Sequence, residues 1–250
     1  EPMLDHPTPC STPGVVSAQR RQSHPQITRW DNVELIAQPT AGAAVVGVSD
    51  NGGSSGRLRD EFDVVPPGDL RMALAALCGD DTWGRTWSRV IQHRFSGDGE
   101  LAGHSIGNLL ITALWEETGD IVTGLDWIAA LLGAHGRVLP VATVPLNVVA
   151  DVAGLDPHDS AVTERVEGQV QVATTGGRVI SLHVQPPDVT ACPDAVDAIR
   201  QADVVVLGPG SWFTSVIAPL LVPGISQAIV DSAAKVVVVL NLARSEEHTS

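Results

Sequence analysis

The sequence predicts an α/β protein with a mostly parallel sheet, helices on both faces of that sheet and a small antiparallel β insertion. Short, continuously apolar runs such as residues 43–48 and 203–207 are typical of strands that are buried on both faces. These runs alternate with segments of helical spacing, as expected for strand–helix–strand units. Residues 137–185 instead contain several strand-like runs, and the turn sequence at residues 174–177 indicates a local hairpin.

The elements follow from periodicity and from the Pro and Gly residues that punctuate it. A buried strand at residues 43–48 ends in a glycine-rich loop. Four helices are predicted next, at residues 69–77, 83–95, 104–117 and 124–132. Strands are then predicted at residues 137–141, 146–152, 167–173 and 179–185, the last two forming the hairpin. A helix at residues 195–201 and strands at residues 203–207 and 235–242 complete the pattern.

Both ends of the chain differ in composition from the middle. Residues 1–42 are rich in Pro, Ser, Gln and Thr and lack a strand or helix period, apart from a short strand-like run at residues 33–37. Such a segment is expected to be disordered or non-native. Residues 244–250 form a polar tail directly after an apolar strand. The α/β domain is therefore placed at residues 43–243.

Composition and charge restrict the function classes. The chain has 250 residues and a formal net charge of −14, which disfavours contact with the nucleic-acid backbone. The sequence lacks an apolar run long enough for a membrane helix and a signal-peptide pattern, so membrane insertion is not expected. Three scattered cysteines favour reduced thiols and a cytoplasmic location. A phosphorylated ligand remains compatible with this charge, because backbone N–H groups can hold phosphate.

The first candidate site is the loop after residues 43–48. Gly52 and Gly53 allow the backbone to approach a ligand closely, and their N–H groups can form an anion nest. Ser54, Ser55 and Arg57 add donors for a phosphate. Asp50, just past the strand, suits a divalent cation such as Mg²⁺ or a sugar hydroxyl, although no motif requires a cofactor. The alternative is a tight surface turn that tolerates Gly and Ser.

The second candidate site follows residues 203–207. Gly208, Gly210 and Ser211 join a strand to a helix start, where free N–H groups and the helix dipole favour phosphate. Thr214 is interpreted either as a ligand group or as an ordinary helix cap. The loop matches neither the dinucleotide-binding glycine pattern nor a P-loop, since Phe213 occupies the last glycine position and no Lys follows.

Three further residues are candidates with weaker support. Asn108 can hydrogen-bond a base or sugar, and Asp69 is either a helix N-terminal charge or a ligand contact. His104 is a candidate general acid or base, although a helix cap or supporting role is favoured. Arg59 and Arg71 are candidates for phosphate contacts. The sequence shows no recognisable nucleophile–base motif, so the residues alone assign no catalytic group and indicate only a phosphorylated or nucleotide ligand in an α/β cleft.

Four blocks of the sequence resemble the gluconeogenesis-factor family, which is a sister family of the 2-phospho-L-lactate transferases. They are SDNGGSSGRLRDEFDVVPPGDLRMALAAL (residues 49–77), GHSIGNLL (103–110), GRVLPVATVPL (136–146) and VVVLGPGSWFTSVIAPLLVPGI (204–225). The resemblance covers residues 43–243 in order. It implies a Rossmann-like fold and a cytosolic protein that binds the nucleotide sugar UDP-N-acetylglucosamine.

The resemblance also implies roles. The protein would regulate gluconeogenic growth, peptidoglycan precursor supply and cell shape, in part through glucosamine-6-phosphate synthase; the alternative is a transferase of deazaflavin coenzyme biosynthesis. Asn51 to Ser55 and Gly208 to Ser211 would hold the diphosphate, Asn108 would lie near the nucleotide or sugar, and Asp50 near any metal. A homo-oligomer is compatible with this sequence. The family begins with a strand and a glycine loop that residues 1–42 do not match, so the domain is predicted to be incomplete.

Overall fold

A computed structural model describes residues 42–159 and 162–240, together with the backbone of residues 15–19. The described strands form two sheets, a five-stranded sheet in the order β3-β2-β1-β7-β8 and a three-stranded sheet in the order β5-β4-β6. The strands are β1 Val15–Gln19, β2 Ala43–Val46, β3 Arg137–Pro140, β4 Asn147–Ala153, β5 Thr163–Glu167, β6 Arg178–Gln185, β7 Val204–Leu207 and β8 Lys235–Val238.

The four helices predicted between residues 69 and 132 are present, each within a few residues of its predicted bounds. A preceding helix, α1, was not predicted, because its first turn is the Gly- and Ser-rich segment that suggested a loop. The helices are α1 Gly53–Phe62, α2 Gly68–Ala76, α3 Thr82–Gln92, α4 Ile106–Thr118, α5 Ile121–Leu132, α6 Gln169–Ala173, α7 Pro193–Arg200, a π-helix Trp212–Ile217, α8 Ala218–Leu220 and α9 Ile225–Asp231.

The large sheet is mostly parallel, as the sequence predicts. Strand β2 pairs in parallel with β3, and β7 pairs in parallel with β8. Strand β1 lies between these two pairs and is antiparallel to both β2 and β7. Because β2 and β7 both run opposite to β1, they point in the same direction. The loops that follow β2 and β7 therefore leave the same edge of the sheet.

Both faces of the large sheet are buried at β2. All four residues of β2 are buried, although successive side chains of a strand point to opposite faces. Helices α2 and α7 both pack against β2, and they supply buried side chains to one continuous core. The predicted architecture, a Rossmann-like sheet with helices on both faces, is confirmed in this respect.

The antiparallel insertion is confirmed, but its predicted hairpin is wrong. Strand β5 ends at Glu167, and residues 169–173 form helix α6 instead of a strand. Strands β5 and β6 each pair with β4, so the turn at residues 174–177 does not join two paired strands. The alternation of Val and Gln in residues 169–173 fits a strand, but Gly168 has a φ of 100° that turns the chain out of β5.

Three further features concern the tryptophans, the two ends of the chain and the apolar helices. Among the tryptophans, Trp115 is buried, whereas Trp83 and Trp127 are exposed. The strand-like residues 33–37 and the tail at residues 244–250 lie outside the described residues. Strand β1 lies within the segment that the sequence set apart, and the division at residue 42 remains a prediction. Within the described ranges, no single helix has the length and apolarity to cross a membrane; one bent pair, residues 212–220 and 225–231, meets that test by length and composition alone.

Candidate functional site

Two glycine loops leave the same carboxyl edge of the large sheet, with strand β1 between their parent strands. The first glycine loop, residues 47–52, follows β2, and the second, residues 208–211, follows β7. A Cβ added to Gly47 would lie 3.4 Å from Cγ of Pro219, which belongs to the helical segment that continues from the second loop. In open α/β sheets, ligands bind outside the carboxyl ends of the strands. The fold thus brings both predicted loops to the place where a ligand is expected.

The first glycine loop is held by contacts within the loop and with helix α1. The Oδ1 atom of Asp50 accepts a hydrogen bond from the Gly52 N–H at 2.9 Å. Gly53, the first residue of α1, is exposed and has a φ of 46°, which a β-branched side chain adopts only with strain. A Cβ at Gly56 would lie 2.4 Å from the Asn51 carbonyl oxygen, so this glycine lets α1 pack directly on the loop. The loop and helix α1 therefore form one rigid turn.

Ser54, Ser55 and Asn108 face the protein interior. All three are nearly inaccessible, with 2%, 3% and 1% exposure. The Asn108 Nδ2 group donates to Ser54 Oγ at 3.1 Å and lies 3.4 Å from Ser55 Oγ. The side chains predicted to bind a ligand are thus brought together, but they bind one another. Their geometry supports the loop from beneath.

His104 joins this buried group. Its Nδ1 atom lies 3.1 Å from Ser54 Oγ, which also accepts from Asn108 Nδ2 and from the Ser105 N–H. A hydroxyl that accepts two bonds keeps its proton to donate, so Ser54 donates to Nδ1 and His104 is neutral with its proton on Nε2. Burial, followed by the positive charge of Arg57, lowers the pKa of His104. This geometry favours the supporting role of His104 over general acid–base catalysis.

Arg71 is the buried cation behind this group. Its side chain is 3% exposed, and its Nε atom donates to Asn108 Oδ1 at 2.8 Å. Its Nη1 atom donates to Gln92 Oε1 at 3.2 Å. These bonds fix the orientation of the Asn108 amide, and hence the donors that reach Ser54 and Ser55. Arg71 is a support for the loop, not the phosphate contact that the sequence suggested.

Asp69, at the start of α2, and Asp50, in the first glycine loop, form an acidic pair. A Cβ at Gly68 would lie 2.7 Å from Asp50 Oδ2 and 2.2 Å from Ser55 Oγ, so the helix start packs against the first glycine loop. Burial and then the negative charge of Asp50 raise the pKa of Asp69 to about 7, against the opposing effects of Arg71 and of a hydrogen bond from Gln169. Asp69 therefore changes its charge near neutral pH, next to the candidate site.

The other predicted cations have partners elsewhere. Arg57 donates to the carbonyl oxygens of Glu100 and Ala102 at 3.3 Å and 2.8 Å. Arg59 donates to the carbonyl oxygen of Leu146 at 2.8 Å. Among the residues that the structure describes, no group of three or more His, Cys, Asp or Glu side chains is arranged to hold a metal ion. Asp50 as a metal ligand remains a prediction.

Helix α6 covers the first glycine loop from the three-stranded sheet. Ser49 Oγ donates to Gln169 Oε1 at 2.7 Å, and Asn51 Nδ2 donates to Gln171 Oε1 at 3.0 Å. The Val170 N–H donates to Asn51 Oδ1 at 3.2 Å. Sequence reasoning missed Ser49, Gln169 and Gln171, because the partners are about 120 residues apart and no local pattern links them.

The second glycine loop combines a buried turn with two partly exposed residues. Gly208 has a φ of 83°, and an added Cβ would lie 2.8 Å from the Val239 carbonyl oxygen. The Ser211 carbonyl oxygen accepts from the N–H groups of Ser215 and Val216, which starts the π-helix. Thr214 is buried, while Gly210 and Ser211 are partly exposed. Gly210 and Ser211 are therefore the better placed of these predicted ligand residues.

Fold and loops together define an α/β protein in which two glycine loops lie at the same carboxyl edge of a mostly parallel sheet. The chain belongs to the 2-phospho-L-lactate transferase CofD family, which matches residues 34–250. The resemblance noted for the separate sequence blocks is confirmed by curated relatives over most of the chain.

The relatives are named gluconeogenesis factors. The chain is 53% identical over 207 residues to a putative gluconeogenesis factor of Mycobacterium tuberculosis, covering 83% of this chain and 60% of that protein. It is 36% identical over 208 residues to the gluconeogenesis factor of Bacillus subtilis, covering 83% of this chain and 62% of that protein. The chain thus spans about three fifths of the length of these relatives.

A solved structure has the same fold. The crystal structure of protein BH3568 from Bacillus halodurans, also described as a member of the UPF0052 family, superimposes with a TM-score of 0.71 at 37% identity. The match covers 78% of this chain and 60% of that chain. At this identity the likeness extends to the fold and to the family.

Proposed function

We propose that this protein binds the nucleotide sugar UDP-N-acetylglucosamine between the two glycine loops and acts as a cytoplasmic regulator. In this proposal it adjusts gluconeogenic growth, peptidoglycan precursor supply and cell shape, with glucosamine-6-phosphate synthase as a partner. The name shared by its relatives, gluconeogenesis factor, supports a role in carbon metabolism.

The proposal is carried by the position of the two loops at one edge of the large sheet. One loop leads to Gly52 and Gly53, and the other contains Gly210 and Ser211. The strands before the two loops run in the same direction, so both loops lie at the same edge of the sheet. Gly53 is exposed and Gly210 and Ser211 are partly exposed, so the backbone of each loop can approach the negative oxygens of a diphosphate without a basic side chain, whereas the Gly52 N–H already donates to Asp50. This suits a chain with a net charge of −14.

The direct test is the thermal unfolding midpoint with UDP-N-acetylglucosamine, measured with and without Mg²⁺. A ligand at 100 times its dissociation constant stabilises the native state by about 2.7 kcal/mol, so a clear rise is expected. A larger rise with Mg²⁺ would support Asp50 as a metal ligand. Cooperative unfolding without any shift would contradict nucleotide-sugar binding by this chain.

The family match favours a second candidate, an enzyme of the 2-phospho-L-lactate transferase type. Such an enzyme would join a nucleotide-activated phospho-acid to the alcohol of a deazaflavin, with Mg²⁺ to neutralise the phosphates. Among the buried polar groups described above, Ser54 and His104 are hydrogen-bonded but almost inaccessible, which disfavours a serine nucleophile. Product formation from the deazaflavin acceptor above background would replace the regulator proposal with this one.

Replacing Gly53 with valine is expected to weaken nucleotide-sugar binding at least tenfold. An added Cβ meets nothing within 4 Å, so packing is preserved, but a φ of 46° strains a β-branched residue and shifts the loop. Gly53→Asn is the matched control, since Asn tolerates the left-handed conformation and should bind nearly as the wild type does. Equal affinity of both variants and wild type, measured by titration calorimetry, would show that this part of the loop is structural only.

A further inference from the structure

We propose that Gln169 and Gln171 of α6 are positioning residues that hold the first glycine loop in its ligand-accepting shape. The proposal rests on the proposed function, because it concerns the same site. It gives the three-stranded sheet a role in ligand binding, because α6 connects two strands of that sheet, β5 and β6. Neither glutamine touches the ligand in this proposal; both act through the loop.

Gln169 bridges the first glycine loop and the start of α2. Its Oε1 atom accepts from Ser49 Oγ at 2.7 Å, which leaves its amide nitrogen to donate to the Asp69 carboxylate. Ser49 is buried, so this bond lies where water does not compete fully. One side chain therefore fixes the distance between the loop and Asp69.

Gln171 fixes the next side chain of the loop. The Asn51 amide donates through Nδ2 to Gln171 Oε1 and accepts through Oδ1 from the Val170 N–H. With both ends of its amide engaged by α6, Asn51 can keep one orientation only. The backbone from Asn51 to Gly53 is then ordered before a ligand arrives, and preorganisation of this kind raises affinity by lowering the entropy lost on binding.

Helix α6 is itself held firmly. Val172 is fully buried, and the Gly168 N–H donates to the Val148 carbonyl oxygen of β4 at 2.8 Å. Gly168 has a φ of 100°, and an added Cβ would lie 2.4 Å from Asn51 Nδ2. A side chain at this position would displace the contact between the Asn51 and Gln171 amides, and the glycine leaves room for it. The same helix packs against the π-helix after the second loop, so it spans the two halves of the site.

A pair of substitutions at position 171 tests the proposal. Gln171→Met keeps the length of the side chain but removes the acceptor for Asn51, whereas Gln171→Glu keeps an acceptor oxygen. Gln171 is exposed, so neither change should prevent folding. Gln227→Met is the control, because Gln227 is an exposed glutamine of α9 that donates to Asp231 away from the loops.

The probes are inorganic pyrophosphate, which reports on the loops alone, and UDP-N-acetylglucosamine. Titrations at about 0.5 M salt screen the charge that Glu adds. Loss of one hydrogen bond predicts about fivefold weaker binding to Gln171→Met. Gln171→Glu and Gln227→Met should stay within about twofold of wild type, and all variants should keep the wild-type thermal midpoint.

Several outcomes would overturn the positioning role. Unchanged affinity of Gln171→Met would show that the contact is incidental, and tighter binding would show that α6 obstructs the site. If wild-type protein binds pyrophosphate but not UDP-N-acetylglucosamine, the proposed function is rejected. The comparison of Gln171→Met with Gln171→Glu, made with pyrophosphate, would still decide the positioning role. Failure of every variant and of wild type to bind either probe would reject both.

Discussion

Arg71→Leu is expected to lower the free energy of unfolding by about 3 kcal/mol. The substitution removes a buried cation from between Asn108, Gln92 and Asp69. Truncating one member of a buried charged group leaves its partners desolvated and unpaired, which is more costly than the net value of the bonds themselves. Denaturant unfolding of the variant measures this loss.

Arg89→Leu is the matched control for that experiment. Arg89 is exposed on α3, so its replacement should change the free energy of unfolding by less than about 0.5 kcal/mol. If Arg71→Leu were as mild as Arg89→Leu, the buried network could not be what orients Asn108. Nucleotide-sugar affinity should fall in the Arg71 variant as well, because Ser54 and Ser55 lose their fixed donor.

Asp69→Asn is expected to remove a pH dependence of stability between about pH 4 and pH 7. The pKa of Asp69 is raised from 3.8 to about 7 in the folded protein. In that interval the unfolded chain has lost the proton that the native state keeps, so wild-type stability falls as pH rises. At about 1.4 kcal/mol per pKa unit, the fall amounts to between about 2 and 4 kcal/mol.

The measurement is denaturant unfolding of wild type and Asp69→Asn at several pH values. The difference between the two should grow in favour of the variant from pH 4 to pH 7 and then level off. Parallel pH profiles would mean that Asp69 titrates normally in the folded protein. Asp126→Asn is a suitable comparison, because Asp126 pairs with Arg137 at the surface, where such bonds contribute little.

Much of the fold could be predicted because it follows from the local periodicity of apolar residues. Strand β2 and helices α2 to α5 have apolar patterns and terminators that favour one structure. Helix α6 could not be predicted in this way. Its Val residues alternate as in a strand, and the helix exists because Gly168 turns the chain and because Asn51, from a distant loop, engages its backbone.

The site could be predicted only in outline. Glycine loops after buried strands predicted that both candidate loops lie at one edge of the sheet, since the rule for parallel sheets depends on strand direction alone. Which side chains face that edge depends on long-range packing. Ser54 and Ser55 are buried because α1 begins at Gly53 and turns them toward Asn108, a residue more than 50 positions away. Arg71 is buried for the same reason.

The position of β1 has a consequence for how the large sheet can assemble. No direct pairing joins β2 to β7 among the described strands, so the parallel pairs β3-β2 and β7-β8 are connected through the backbone of β1 alone. Residues 15–19 precede the stretch that the family matches, which starts at residue 34. The two glycine loops are thus carried by separate half-sheets, and a strand outside the family region keeps them in register. Loss of that strand would remove the hydrogen-bonded link between the half-sheets, so the spacing between the loops would depend on packing through helices such as α6, which contacts elements of both loops.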